Sequence, residues 1–422
     1  MRADRRSLRL AAVALILLRG SLGAQTLDLG DARPLAPGVQ LYHITAPSLV
    51  NPPEPMSVWL LRLDPASIDL RCVLANDEIL DTEVVSTIAQ RHQAIAAINA
   101  GFFLPNGDPA GVLTLDRRLV SDTRRPRGAV GITRDPRGVR LIYARLKATA
   151  TLTIGSGTSR KTVDIDGVDT TRARDKVMLY TPSYNEDTDT APGGLEWVLD
   201  RPKGRPTDPI RVVSGPHKAG KTRIPPTGFV LSVGGAVRPA ALPRLSRGTR
   251  VSIDVAYDPV EGEPKPWASA QDIVGGAGLL IRDGRDVQDW SVEVFNKGFA
   301  EGRHPRTLIG DAADGTIWLA TVDGRQPQLS VGMTLDELRT LAHRLGLVNA
   351  LNLDGGGSTT MWVAAGGVVN SPSDLAGPRK VSDALIVTPR SKSPAASRDD
   401  VPRTKPQGDW VPRTKIEAHS RR

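Results

Sequence analysis

The chain has 422 residues, 40% hydrophobic and 24% charged, with 4% aromatics but 41 Gly and 33 Pro. This balance excludes a wholly disordered chain, and at about 150 residues per domain it allows one large domain or two to three smaller ones. The net charge of +9 lies in the ends, +4 in residues 1–24 and +5 in residues 390–422, with 25–389 neutral. The domain-wide basic footprint that nucleic-acid binding requires is therefore missing.

One cysteine, Cys72, excludes an internal disulfide framework and a cysteine metal cluster. Six histidines without an HExxH pattern argue against a zinc hydrolase. At the N-terminus Arg2, Arg5, Arg6 and Arg9 precede the apolar run Leu10–Leu18, and small residues follow at Ser21, Gly23 and Ala24. This pattern predicts a signal peptide over 1–24 and a secreted or periplasmic protein; an uncleaved anchor is the alternative. No later apolar run is long enough to span a membrane.

Residues 25–55 are Pro-rich and expected to be an irregular lead. Runs at Val58–Leu63 and Ile68–Val73 predict strands, with Asp64-Pro65 as the turn. Val84, Val85, Ile88 and Ala89 form a short helical stripe before the apolar strand Ala94–Ile98. Val139–Tyr143 and Ala148–Ile154 read as strands, and Tyr184–Gly194 as a long loop. Gly215 to Thr222 matches the phosphate-binding pattern GxxxxGKT, but Pro225 and Pro226 forbid the helix that this motif must open, so it reads as a basic loop. Leu335–Leu345 predicts a helix with Thr334 and Glu337 as a capping box and Gly346 as the exit, followed by the strand Val348–Leu353. The expected class is α+β, strand-rich mixed sheets with few helices, in a domain over 56–389. Residues 390–422, with Val-Pro-Arg-Thr-Lys repeated from 401 and 411, predict a disordered basic tail, which could touch anionic wall polymers. Helix, strand, polar residue and glycine occur in that order twice, at Asn99-Ala100-Gly101 and Asp354-Gly355. The pattern is either an internal pseudo-repeat or a succession common to α/β chains.

Four clusters can carry chemistry. Asp354-Gly355-Gly356-Gly357-Ser358-Thr359 puts a carboxylate, then glycines open to close approach, at a strand end. His304-Pro305-Arg306-Thr307 offers a guanidinium fork for phosphate or carboxylate. Asn99 and Phe102-Phe103 mark another strand end. Asp374, Arg379 and Asp383 form a further charged group. Each alone also fits a turn, a surface pair or a core aromatic.

Together, Asn99-Ala-Gly-Phe-Phe103, His304-Pro-Arg-Thr307, the Asp354 glycine run and Arg379-Lys-Val-Ser-Asp383-Ala-Leu385 resemble the phosphodiester glycosidase family, over about Ala94 to Val387. Ala100 stands where many members have Gly. The disulfide-rich modules of animal members are missing, so their substrate does not carry over. The resemblance implies an exported hydrolase that releases a sugar joined through its anomeric carbon to a phosphodiester. Because the leaving group is a phosphate monoester, little protonation is needed; the site needs a cation and a base or nucleophile. Arg306, and with it Arg379, suits the phosphate. Asp354 suits the anomeric carbon. Gly355, Gly356 and Gly357 with Ser358 and Thr359 would hold phosphate or sugar oxygens. Asn99 would orient a sugar hydroxyl, with His304 and Asp383 as further substrate contacts. No cofactor is required by this scheme, although a single divalent cation near Asp354 stays open. The alternatives are a non-catalytic glycan or wall-polymer binding protein on the same scaffold, and a metal-dependent phosphodiesterase.

Overall fold

The computed structural model describes residues 27–201, 204–205, 208–237 and 244–390. The expected signal peptide and all of the expected tail beyond Arg390 lie outside the described residues. The described residues are 44% strand and 12% helix, as the Gly- and Pro-rich composition predicts. Among the described residues no helix is long and apolar enough to cross a membrane.

The heart of the molecule is a four-layer stack in which strand alternation assigns each face. The strand Val58–Leu63 sends Val58 and Leu60 one way and Leu61 and Leu63 the other. Its neighbours repeat this: Leu308 and Ala350 lie with the first set, Ile309 and Leu351 with the second. These strands belong to an eight-stranded sheet that includes Arg306–Ala312, Ile317–Val322 and Leu347–Asn352. On its outer face sits the helix Leu335–Arg344, through Leu338, Leu341 and Ala342. Each fully buried Leu of this stripe contributes about 1.5–3 kcal/mol. The expected capping box is present: Glu337 N–H donates to Thr334 Oγ1 at 3.1 Å, and Thr334 N–H to Glu337 Oε2 at 2.9 Å. Gly346, at φ 73°, lets the chain turn back into the next strand.

The inner face packs on a five-stranded sheet containing Ile68–Leu74, Ala96–Asn99, Met361–Val363 and Asp383–Pro389. Ile98 and Leu385 point into this shared core, while Ala97 and Ile386 point outward onto the helix Val85–Arg91. Three further sheets complete the described fold, of seven strands, of five and of two. The two helix–strand–glycine units fall in different sheets.

Three expectations change. Residues 27–55 are not wholly irregular: Arg33–Ala36 and Val39–Ile44 are paired strands. Pro34 is tolerated because its strand is the sheet edge, where a missing N–H costs no ladder bond. Val39, Leu41 and Ile44 then bury in the cores on either face. Val139–Tyr143 and Ala148–Ile154 are parts of one strand, Gly138–Ile154. Its first half pairs with Thr123–Asp135 and its second with Val251–Pro259. The GxxxxGKT segment begins inside the strand Arg211–His217 and continues as the expected loop from Lys218, and no helix follows.

Candidate active site

Antiparallel pairing places all four clusters at one end of the stack. Leu347–Asn352 ends where its neighbour Arg306–Ala312 begins, with Leu308 opposite Asn352. Ala96–Asn99 ends where Asp383–Pro389 begins, with Asn99 opposite Ala384. The strand ends of the two sheets are joined by Asn99. Its Nδ2 donates to the Asp354 carbonyl at 2.7 Å, and its Oδ1 accepts from Thr307 Oγ1 at 2.8 Å and Thr360 N–H at 3.1 Å. Asn99 is fully buried. Its expected contact with a sugar hydroxyl gives way to an internal brace, because its acceptor is filled from both sheets.

Asp354 and Asp383 form the electrostatic centre. Asp354 Oδ1 accepts the Gly355 N–H at 2.9 Å. Asp383 Oδ1 accepts the Gly101 N–H at 2.6 Å and its Oδ2 the Ser382 hydroxyl at 2.8 Å. Gly101 also leaves room for the carboxylate: a Cβ would stand 3.2 Å from Asp383 Oδ2. Burial, and then the neighbouring Asp383 charge, push the Asp354 carboxyl up to about 6 against the pull of Ser358, Gly355 and Arg379. The Ser358 hydroxyl lies close enough to favour the charged form, though it is buried and makes no well-formed hydrogen bond. Burial also raises Asp383 above the usual carboxylate range. A carboxyl that titrates near neutrality at a strand end is a candidate for acid–base or nucleophilic work.

Arg306 differs from its expected role as a phosphate fork. It is buried, and its Nε donates to the Met333 carbonyl at 2.7 Å. Its Nη2 donates to the carbonyls of Phe299 at 2.7 Å and Gly302 at 2.9 Å. The Phe299 ring covers the guanidinium at 5.0 Å. Only Nη1 makes no hydrogen bond among the described residues. A bidentate grip on phosphate is therefore closed to it. Burial, and then repulsion from Arg325, push Arg306 down to about 10.

Arg325 is the residue that the motifs did not reveal. It is exposed, at φ 59°, after the buried strand Ile317–Val322. Among the described residues it meets no carboxylate. Its guanidinium lies against Gly356, where a Cβ would be 3.2 Å from Nη2. His304 supports it: Nδ1 faces Arg325 Nη2 at 3.4 Å and Nε2 faces the Gly298 carbonyl at 3.3 Å, which fits a ring protonated on Nε2. Burial and the two arginines lower the His304 pKa, which keeps the ring neutral. Its contacts make His304 a support for Arg325. The turn carrying Arg325 is anchored by Asp323, which accepts from Ser57 Oγ (2.7 Å), Asn370 Nδ2 (3.0 Å) and Ser371 N–H (2.8 Å).

The glycine run is packed from three directions. A Cβ on Gly355 would lie 2.6 Å from the Pro305 carbonyl, and one on Gly357 2.3 Å from both Arg379 Nη2 and the Asp374 carboxylate. The Gly355 N–H goes to Asp354 and the Gly356 N–H to the Pro305 carbonyl at 2.9 Å. Only the Gly357 N–H has no bond among the described residues, so the expected three-amide cradle reduces to one. Arg379 is held bidentately by Asp374, Nε to Oδ2 at 2.9 Å and Nη2 to Oδ1 at 3.2 Å. Thr359 is buried under the run, with its carbonyl tied to Asn370. Among the described residues no three His, Cys, Asp or Glu side chains gather as a metal-ligand group.

Residues 210–388 match the family model of phosphodiester glycosidases. The match includes Arg306, Arg325, Asp354, Arg379 and Asp383 but stops short of Asn99. An uncharacterized Rickettsia conorii protein is 25% identical over 266 residues, 62% of this chain and 86% of its own. Mouse N-acetylglucosamine-1-phosphodiester alpha-N-acetylglucosaminidase is 29% identical over 187 residues. That alignment spans 40% of this chain and only 35% of the mouse enzyme. A solved Burkholderia pseudomallei structure, described as a candidate exported protein, has a TM-score of 0.66 and 27% identity. It covers 80% of this chain and 74% of that one.

Proposed function

We propose that the chain is an exported hydrolase that cleaves the bond between a sugar's anomeric carbon and a phosphodiester. The observation that carries this reading is the juxtaposition of Asp354, a carboxyl titrating near 6, with Arg325, an exposed cation that has no carboxylate partner among the described residues, across one glycine turn. The family match over 210–388 supports it. Export rests on the charged and apolar N-terminal pattern.

In this scheme Arg325 and the Gly357 N–H hold the phosphate, while buried Arg306 adds positive potential behind them. Asp354 acts at the anomeric carbon, either as nucleophile or by taking a proton from water. The C–O bond breaks with its electron pair going to the phosphate oxygen, and water supplies the hydroxyl of the freed sugar and the proton of the released phosphate monoester. Asp383, fixed by Gly101 and Ser382, keeps a second negative charge nearby and so holds the Asp354 proton affinity high. A phosphate monoester leaves without the strong general acid that an alkoxide demands.

The test is turnover of a panel of sugar-1-phosphodiesters in ¹⁸O-labelled water, with and without EDTA. The reading expects label in the released sugar. Label in the phosphate indicates a phosphodiesterase, and no turnover of any member indicates a binding protein; either result sinks the proposal.

A further inference from the structure

A cavity of about 440 Å³ opens beside this centre and has no role in the scheme so far. That volume lies within the range of small-molecule sites. Its connection to the carboxylates runs through three consecutive residues. Ala100 accepts the Asp354 N–H, Gly101 donates to Asp383, and Phe102 follows at once. The Phe102 carbonyl accepts from Ala110 N–H at 2.7 Å, and the Phe102 ring lies under Arg127 at 6.0 Å. Ala110 and Arg127 both line the cavity. On its other side Phe102 meets Phe299 edge-on at 5.9 Å, and Phe299 covers Arg306. The two phenyl rings thus divide the glycine–arginine end from the cavity, and the carboxylates stand next to the divide.

The walls select a ligand class. Asp108 is 3% exposed, with Oδ2 accepting from Thr170 Oγ1 at 2.5 Å and no cation paired with it among the described residues. Its Oδ1 makes no bond among the described residues, and burial together with Asp122 raises its carboxyl to about 6. Arg125 and Arg127 share the lining with Asp108 and Asp122. The third carboxylate of the wall, Glu293, is taken up by the N–H groups of Gly128, Gly278 and Leu279; an anion entering here meets Asp108 and Asp122, and a cation meets Arg125 and Arg127. A neutral molecule rich in hydroxyls meets acceptors and donors together, with the Ser121 and Thr170 hydroxyls between them. Leu104 and Val294, both largely exposed, add apolar surface at the rim for the C–H face of a ring. Val294 is a β-branched residue held at φ 49°, because the preceding Glu293 is anchored by the N–H groups of Gly128, Gly278 and Leu279.

We infer that this cavity is the sugar-binding half of the site: it takes a neutral pyranose through Asp108 and Arg127, while the phosphate lies across the phenyl divide at Arg325 and Gly357. The phosphate placement rests on the reading proposed above; the carbohydrate character of the cavity does not.

The test is calorimetric titration of the full chain with methyl α-hexopyranosides (gluco, manno, galacto and 2-acetamido) and, separately, with inorganic phosphate. At least one glycoside should bind. Asp108→Asn and Arg127→Gln should each weaken it by about tenfold or more, the usual cost of losing a hydrogen bond to a charged group. Neither should change the phosphate affinity. Arg325→Gln should do the reverse. If Asp108→Asn does not fold, Arg127→Gln decides alone. Failure of the wild-type chain to bind any glycoside, or unchanged binding by folded variants, overturns the cavity assignment. Loss of phosphate binding alone, with glycoside binding still dependent on Asp108, upholds the cavity and overturns the phosphodiester reading.

Discussion

Replacing Asp354 by Asn should make the protein more stable and much less active. Burial beside Asp383 raises the Asp354 carboxyl from an ordinary 3.8 to about 6. The folded chain therefore holds the proton more tightly than the unfolded chain does. The penalty is absent below pH about 4, grows as pH rises towards 6, and is complete above it. At full size it is about 3 kcal/mol, or about 3–4 °C in Tm for a domain of this size. Asn cannot ionise and keeps one oxygen for the Gly355 N–H. The Asn variant should melt about 3–4 °C above wild type at pH 7.5, and the gap should close towards pH 4.5. Turnover of a sugar phosphodiester should fall by about 10²–10⁴-fold, or further if the carboxylate is the nucleophile. Wild-type kcat/KM should itself decline below pH about 6, as the required carboxylate is protonated. Melting scans from pH 4.5 to 8, paired with kcat/KM, check all of this. A Tm gap that does not change with pH would refute the strained carboxylate. A folded variant within about tenfold of wild-type turnover would remove Asp354 from the chemistry, leaving Asp383 and Asp374 to be examined.

Gly355→Ala and Gly357→Ala should separate packing from function. At Gly355 the new Cβ meets a backbone carbonyl that is itself bonded to Gly356, so about 1–3 kcal/mol of stability should be lost in a denaturant melt. At Gly357 the Cβ meets only the movable ends of Arg379 and Asp374; stability should change by about 0.5 kcal/mol or less while KM rises. Arg306→Lys should lower Tm and activity together, because a single ammonium cannot replace the planar grip on three carbonyls, each bond worth about 1.5–3 kcal/mol. Arg325→Gln should leave the melt within about 0.5 kcal/mol yet raise KM for the phosphodiester about tenfold, with a weaker salt dependence than wild type.

The local part of this architecture can be read along the chain. Thr334 and Glu337 announce a helix start because both partners of the box lie within one turn. Val58–Leu63 and Ile68–Leu74 announce strands because alternation is visible in consecutive residues. The long strand Gly138–Ile154 reads as two in the sequence because its partners change along its length, and pairing is a property of other segments. The convergence of Asn99, Arg306, Asp354 and Asp383 was visible only as four motifs.

What each residue does inside that convergence depends on neighbours far away in the chain. Arg306 in its motif looks like a free fork; Met333, Phe299 and Gly302 occupy it, and nothing beside His304 or Thr307 says so. Arg325 looks like a turn residue; its guanidinium lies against Gly356, some thirty residues on, which has no side chain to keep it off. Three glycines in a row suggested three amides aimed at a ligand. Two of those amides are spent on Asp354 and Pro305, and the missing side chains matter more than the N–H groups. Gly355 admits the Pro305 carbonyl, Gly356 the Arg325 guanidinium, and Gly357 the Asp374–Arg379 pair. The glycine run after Asp354 is thus the floor that Arg325 and the Asp374–Arg379 pair lie against. Its length follows from the number of groups that must come close: one backbone carbonyl, one free cation and one ion pair, each needing its own residue without a Cβ.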